Sequence, residues 1–287
     1  MHAARTLRRP LRRIASAAVL TGGFLAFTAV ALSAHDFWLV PVGLEVAPGE
    51  TIEVHGQTGT EFPTSVSAVT AERIADARLI GASGEERLTD LSVSDKSLRI
   101  RHRPAAAGQR VVAVALVPRT SRAASAALAR YIALEGAPEL ADRYRREGVL
   151  STADSVTQRT AKYAKTVVEV GRLGPRAFAR TAGHPLEFVP VGDPATLRAG
   201  DTLAVRLLFR GQPLAGAHLH AGAAPTAGDS TARGDLSVVT DASGVARVPL
   251  GRAGLWNVRT VHAAPAVDSP DAWDVLFATI VVRTRGG

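Results

Sequence analysis

His218-Leu219-His220 and the step His35-Asp36 are the residues whose types and spacing best suit chemistry. On an extended strand, positions i and i+2 share a face, so His218 and His220 project together while Leu219 points inward. Two adjacent imidazoles are half of a nitrogen-donor metal site. Such donors suit a divalent transition metal: nickel, cobalt, copper or zinc. His35 adds a third imidazole, and Asp36 adds an oxygen ligand or a carboxylate that orients an imidazole through its other nitrogen. Glu187 is a second candidate for that orienting role. His184 and His262 are further candidate ligands, and spacing alone does not choose among them. The competing reading of each histidine is a polar surface or core residue without a ligand. His55 and His102 fall near strand ends on solvent sides, where a hydrogen-bonded role is expected. The sequence has no nucleophile elbow, no His-Glu-x-x-His helix and no phosphate-binding glycine loop. No catalytic residue is assigned, and the chain is read as a non-enzyme. The lack of cysteine excludes disulfides, thiolate metal sites and cysteine nucleophiles.

The position of His35 gives it added interest. Residues 1–13 are basic, and residues 14–34 carry no charge and end in Ala31-Leu32-Ser33-Ala34, small residues suited to cleavage. This pattern predicts a signal peptide over residues 1–34, with a periplasmic or secreted product. The alternative is an uncleaved anchor, since ~20 apolar residues can span a bilayer; Thr21-Gly22-Gly23 interrupts the run and favours cleavage. A cut after Ala34 leaves His35 with a free α-amine beside its imidazole, a chelating pair. A cut after Ser33 gives Ala-His, which supplies amine, amide and imidazole nitrogens. No other stretch is long and apolar enough to cross a membrane, so the mature chain is expected not to span one.

Five arginines (Arg5, Arg8, Arg9, Arg12, Arg13) and no acid lie in residues 1–34, so only +3 of the formal net charge of +8 belongs to the remainder. That charge is too mild and too scattered for a nucleic-acid surface.

The elements that must position these groups read as strands. Residues 35–118 contain short strand-like runs at 37–41, 51–55, 77–80, 98–102 and 111–117, separated by turn residues. Residues 119–182 change character: 121–146 have helical spacing, broken at Pro138, and 163–170 return as a strand. Residues 183–287 show runs at 186–190, 203–209, 214–220, 236–239, 245–250, 254–262 and 275–283, with a tight turn at 240–244 and an exposed loop at 221–233. Trp256 is read as core. The expected fold is mainly β: two antiparallel sandwiches, immunoglobulin- or transthyretin-like, flanking a short helical insertion.

Several segments, in order, resemble the DUF4198 family: Ala34-His35-Asp36-Phe37-Trp38-Leu39; Ala161-Lys162-Tyr163-Ala164-Lys165; Gly183-His184-Pro185-Leu186-Glu187-Phe188-Val189-Pro190. The run Gly211-Gln212-Pro213-Leu214-Ala215-Gly216-Ala217, then Thr240-Asp241 with Gly244, and Gly254-Leu255-Trp256-Asn257-Val258 with His262 extend the likeness over nearly all of the mature chain. The resemblance implies an exported β-sandwich protein. For a subset of members it implies a periplasmic part in nickel or cobalt uptake beside a membrane metal transporter. It implies no catalytic residue. The leading expectation is therefore an exported binding or accessory protein for a divalent transition metal. The alternative is a structural or protein/glycan interaction module of the cell envelope.

Overall fold

Period-two alternation runs through most of the computed structural model, which describes residues 35–43, 45–136, 138–149, 155–171, 173–225, 236–269 and 272–286. The expected signal peptide over residues 1–34 lies outside the described residues. The strands begin with β1 (Asp36–Pro41), β2 (Glu45–Val46), β3 (Ile52–Gly59), β4 (Ile74–Ile80), β5 (Glu85–Arg87), β6 (Asp90–Ser94), β7 (Ser97–His102), β8 (Gly108–Leu116) and β9 (Arg119–Ala124). Two short helices follow, α1 (Ser125–Tyr131) and α2 (Pro138–Arg146), joined by a wide turn at Ile132–Gly136. Then come β10 (Ser155–Val170), β11 (Leu186–Pro190), β12 (Thr202–Phe209), β13 (Gln212–Pro213), β14 (His218–Ala223), β15 (Leu236–Val239), β16 (Val245–Pro249), β17 (Gly254–Pro265) and β18 (Ala272–Thr284).

A long central sheet, ordered β15-β14-β17-β18-β10-β8-β4-β5 with β2 and β9 also on β10, forms the middle of the structure. Its two faces are covered by different partners, and the alternation along β10 shows how. Ala164, Val168 and Val170 pack with Phe37, Leu39, Val54 and Leu98, residues of the sheet β1-β3-β7-β6. Ala161 and Tyr163, pointing the other way, pack with Leu186, Phe188, Leu203, Val205, Leu207 and Val248 of the sheet β11-β12-β13, to which β16 is joined. The helices cover the first face further along, where Leu128, Ile132 and Tyr144 meet Val261, Trp273 and Phe277. The Tyr144 hydroxyl donates to the carbonyl of Ala263 at 3.1 Å. The fold is thus mainly β with sandwich packing, as expected.

Several local expectations are met for visible physical reasons. Leu219 is wholly buried between half-buried His218 and His220. Such a leucine is worth ~1.5–3 kcal/mol. Trp256 lies in the core. In the 240–244 turn, Asp241 Oδ1 accepts from Ser243 N at 2.8 Å and Val245 N at 3.0 Å. Gly244 has φ +73°, and a Cβ there would stand 2.9 Å from the carbonyl oxygen of Leu207. His55 Nε2 hydrogen-bonds Glu53 at 2.9 Å; the same role expected of His102 is not seen, since its Nε2 lies 3.2 Å from Glu86 without hydrogen-bond geometry.

Other boundaries move. Residues 121–124, read as helix, belong to β9, which pairs with β10 from Ser155↔Ala124 to Thr160↔Arg119. The returning strand is sixteen residues long rather than eight: β18 pairs with it over 157–166, and β9 and β8 pair with its other edge over 155–160 and 167–170. Residues 221–223, assigned to a loop, end β14; residues 226–233 of that loop lie outside the described residues. β10 and β18 run parallel, from Thr157↔Ala272 to Thr166↔Val281. The two positions expected to divide domains, near 118 and 183, lie on either side of β10, whose neighbours β8 and β18 come from both flanks.

Candidate functional site

Two of the sequence segments singled out above meet on the face of β10 that carries Tyr163 and Lys165. Lys165 Nζ donates to Glu187 Oε2 and to the carbonyl of Arg180, each at 3.1 Å. Both side chains of this ion pair are 2% exposed. The Glu187 carboxylate also accepts from the amides of Ala182 (2.8 Å) and Gly183 (3.1 Å). Gly183 adopts φ +71° with open space around its Cβ position, so conformation rather than room calls for glycine there. The Arg78 guanidinium donates to the Ala182 carbonyl. Burial lowers the proton affinity of Lys165 and outweighs the opposing pull of Glu187.

His184 is fixed by this scaffold. Its ring lies against Tyr163, centroids 5.1 Å apart and planes tilted by 31°. It is 5% exposed, and neither ring nitrogen has a hydrogen-bond partner among the described residues. Burial, followed by the charges of Lys165 and Arg78, pulls its pKa down to about 3, so the imidazole is neutral. A cleft of about 690 Å³ opens beside it, with Arg159, Tyr163, Glu187, Arg210 and Asp274 on its walls. Burial, then Asp274, pushes the Tyr163 hydroxyl up to about 12. His262 shares this face of the sheet, since it stands opposite Leu276, which packs in the same core as Tyr163. Its ring meets Phe209 edge-on at 4.6 Å. Burial, with Arg143 and Arg210, lowers its pKa to about 4.

The opposite face of the same sheet holds the other four candidates. His220 stands across from Arg259, and Arg259 across from Thr279. Above this row lies the start of β1: Thr279 donates to the Phe37 carbonyl at 2.6 Å, and Arg259 Nε stands 3.4 Å from Asp36 Oδ2. One row along, Val261 faces Phe277 and Phe277 faces Lys162. Lys162 Nζ donates to the His35 carbonyl and sits 5.0 Å from the Phe277 ring centre. Burial pulls this amine down to about 8, partly offset by Asp36. His218, two residues before His220 on the same side of β14, has Nε2 3.2 Å from Glu139 Oε2 on α2.

The six predicted residues therefore divide. His35, Asp36, His218 and His220 belong to one face, and His184 and His262 to the other. Among the described residues, no three histidine, aspartate or glutamate side chains converge as a ready metal cradle. Glu187, expected to orient an imidazole, is instead taken up by Lys165 and two backbone amides. Sequence reasoning missed the roles of Arg259, Arg210 and the Tyr163–Lys165 pair. The only available signal was that Tyr163 and Lys165 alternate within one of the family-like segments, which puts both on one side of a strand.

No curated protein matches the sequence. Among solved structures, the D0–D1 domain of intimin is 10% identical over 86% of this chain and 97% of that one, with a TM-score of 0.21. The Escherichia coli adhesin FdeC is 15% identical over 88% and 64%, with a TM-score of 0.22. The Yersinia pseudotuberculosis adhesin InvE is 11% identical over 86% and 58%, with a TM-score of 0.20. At scores this low, these likenesses add nothing to the fold read from the strands themselves. No helix among the described residues is long and apolar enough to cross a membrane. The family comparison is of a different order: the model for the domain of unknown function DUF4198 matches residues 32–264, and the chain belongs to that family.

Proposed function

We propose that this chain is an exported, non-catalytic accessory protein that binds a divalent transition-metal ion, of the nickel or cobalt type, beside a membrane transporter. One observation carries the reading: two candidate pairs read separately from the sequence, His35-Asp36 and His218/His220, belong to the same sheet face. They are linked there through Arg259, which pairs with Asp36 and stands across from His220. His218 meets a carboxylate at Nε2, the arrangement that orients an imidazole for ligation through its other nitrogen. Imidazole nitrogens are donors suited to nickel, cobalt, copper or zinc. Asp36, beside Arg259, neutralises a cation that would otherwise repel a metal ion. The donors present do not complete a site by themselves. The α-amine freed by cleavage next to His35 supplies the further nitrogen.

The test is calorimetric titration with nickel, cobalt, copper and zinc ions of protein beginning at the processed N-terminus. The same protein with its α-amine acetylated, His35→Ala, and the double variant His218→Ala/His220→Ala serve as comparisons. Binding should weaken by at least about tenfold, or 1.4 kcal/mol, in each comparison protein. Equal affinity in all four, or no binding in any, overturns the metal reading in favour of an envelope interaction module.

A further inference from the structure

The cleft beside His184 is independent of the outer face and calls for a ligand of different chemistry. A neutral imidazole offers one N–H donor and one acceptor, and at His184 both positions are buried and unpartnered. Burying polar groups without partners is costly, so a stable protein gains from anything that meets them. The field at the ring is positive: Lys165 and Arg78 both oppose its protonation. The same field opposes a metal cation and favours a group that accepts hydrogen bonds.

Arg210 lines the same cleft as this ring; its backbone N–H donates to the Pro185 carbonyl at 2.7 Å, and its guanidinium lies over the Phe209 ring, 4.7 Å from the centre. Its guanidinium donates through Nη2 to Asp274 at 3.1 Å. Arg159, by contrast, is clasped by both oxygens of Asp268 at 2.6 and 2.9 Å. Arg210 and Gly211 have φ +50° and +78° and form the two-residue turn between Phe209 and Gln212. Such a turn favours asparagine or glycine at its first position. An arginine held there against backbone preference is an outlier that points to use of its side chain. Leu208, Leu276 and Pro185 supply an apolar stretch of wall, while the lining carboxylates Glu187 and Asp274 are engaged by Lys165 and Arg210.

We propose that this cleft binds a small organic carboxylate with an apolar body, its acid group held between Arg210 and His184 and its body against Leu208, Leu276 and Pro185. A guanidinium with free N–H groups matches a carboxylate, and the volume exceeds what a single-ring acid needs. Two substitutions test the site without threatening the fold. Arg210→Asn relieves the turn, and His184→Phe keeps the ring against Tyr163 while removing both nitrogens.

The experiment is ligand-observed NMR titration of the purified protein with benzoate, benzyl alcohol and nickel ion. Benzoate should bind in the millimolar range expected for so small a ligand. It should bind at least about tenfold more tightly than benzyl alcohol, and lose at least about tenfold in each variant. Equal binding of benzoate and benzyl alcohol, or benzoate binding unchanged by Arg210→Asn, overturns the proposal. So does an absence of benzoate binding to the unaltered protein. Nickel binding abolished by His184→Phe alone also overturns it, reassigning the cleft to a cation. The benzoate outcomes leave the outer face untouched, and only the nickel outcome bears on it; its own test uses His35 and His218/His220.

Discussion

The two faces of β10 use the same residue types for opposite purposes. On the cleft side Lys165 is sealed in with Glu187, each 2% exposed, and the charge of one is meaningful only with the other. On the outer side Lys162 reaches a backbone carbonyl, and the nearby ion pair Asp36–Arg259 keeps partial contact with water. The histidines follow suit: His184 and His262 are buried and neutral, whereas His218 and His220 are half-buried. A lysine three residues from another lysine thus belongs to a different environment and a different energetic regime. The ion pair Asp36–Arg259 keeps some solvent contact, while Lys165 and Glu187 are sealed from it.

Breaking the buried pair should have the largest effect. Glu187→Ala leaves Lys165 and two amides without their acceptor, and should destabilise the protein by roughly 3–5 kcal/mol in urea denaturation. Adding Lys165→Met should restore part of that loss. If the double variant is as unstable as the single, Glu187 acts through its amide bonds rather than through the charge pair.

Acid should separate the faces next. In the unfolded chain His184 takes up a proton near 6.5, while in the folded protein it does so only at about 3. The unfolded state therefore binds more protons as pH falls. Stability present above about 6.5 is lost progressively down to about 3 and no further below it. The loss assigned to His184 is on the order of 3–5 kcal/mol. His262 acts in the same direction from 6.5 down to about 4. Denaturation midpoints measured across this range should fall steeply in the unaltered protein and less steeply in His184→Phe. A parallel fall in both proteins would remove His184 from the account.

On the outer face Asp36→Ala should cost only roughly 1–2 kcal/mol, since its partner Arg259 is partly solvated. A loss as large as that of Glu187→Ala would erase the distinction drawn between the faces. Glu139→Gln should have the smallest effect, below about 0.5 kcal/mol by thermal melting, because the Glu139 side chain is 76% exposed. If the proposed metal role holds, its effect should instead appear as weaker metal binding in the calorimetric titration.

Much of this arrangement was legible beforehand. The order of strands in residues 183–287, the inward Leu219 between two outward histidines, the Asp241 turn and the family membership all follow from local patterns. Each depends on residues within a few positions of one another: side-chain alternation, turn chemistry, or the order of short segments. The helical reading of residues 121–124 failed because alanine and serine spacing fits a helix, and pairing with β10 overrode it.

The sequence alone determined that the chain is β-rich and free of thiol chemistry, that it carries an uncharged stretch before His35, and that His218 and His220 point the same way. Only the tertiary structure decided that His35 and Asp36 join those two while His184 and His262 do not. Which face a strand turns to which partner depends on register and sheet order between segments more than a hundred residues apart. Parallel pairing of β10 with β18 and the seating of β1 across Thr279 and Arg259 are of that kind. The burial of Lys165 with Glu187 also rests on tertiary packing although only 22 residues separate them: two charges are tolerable inside only when the next strand brings one to the other.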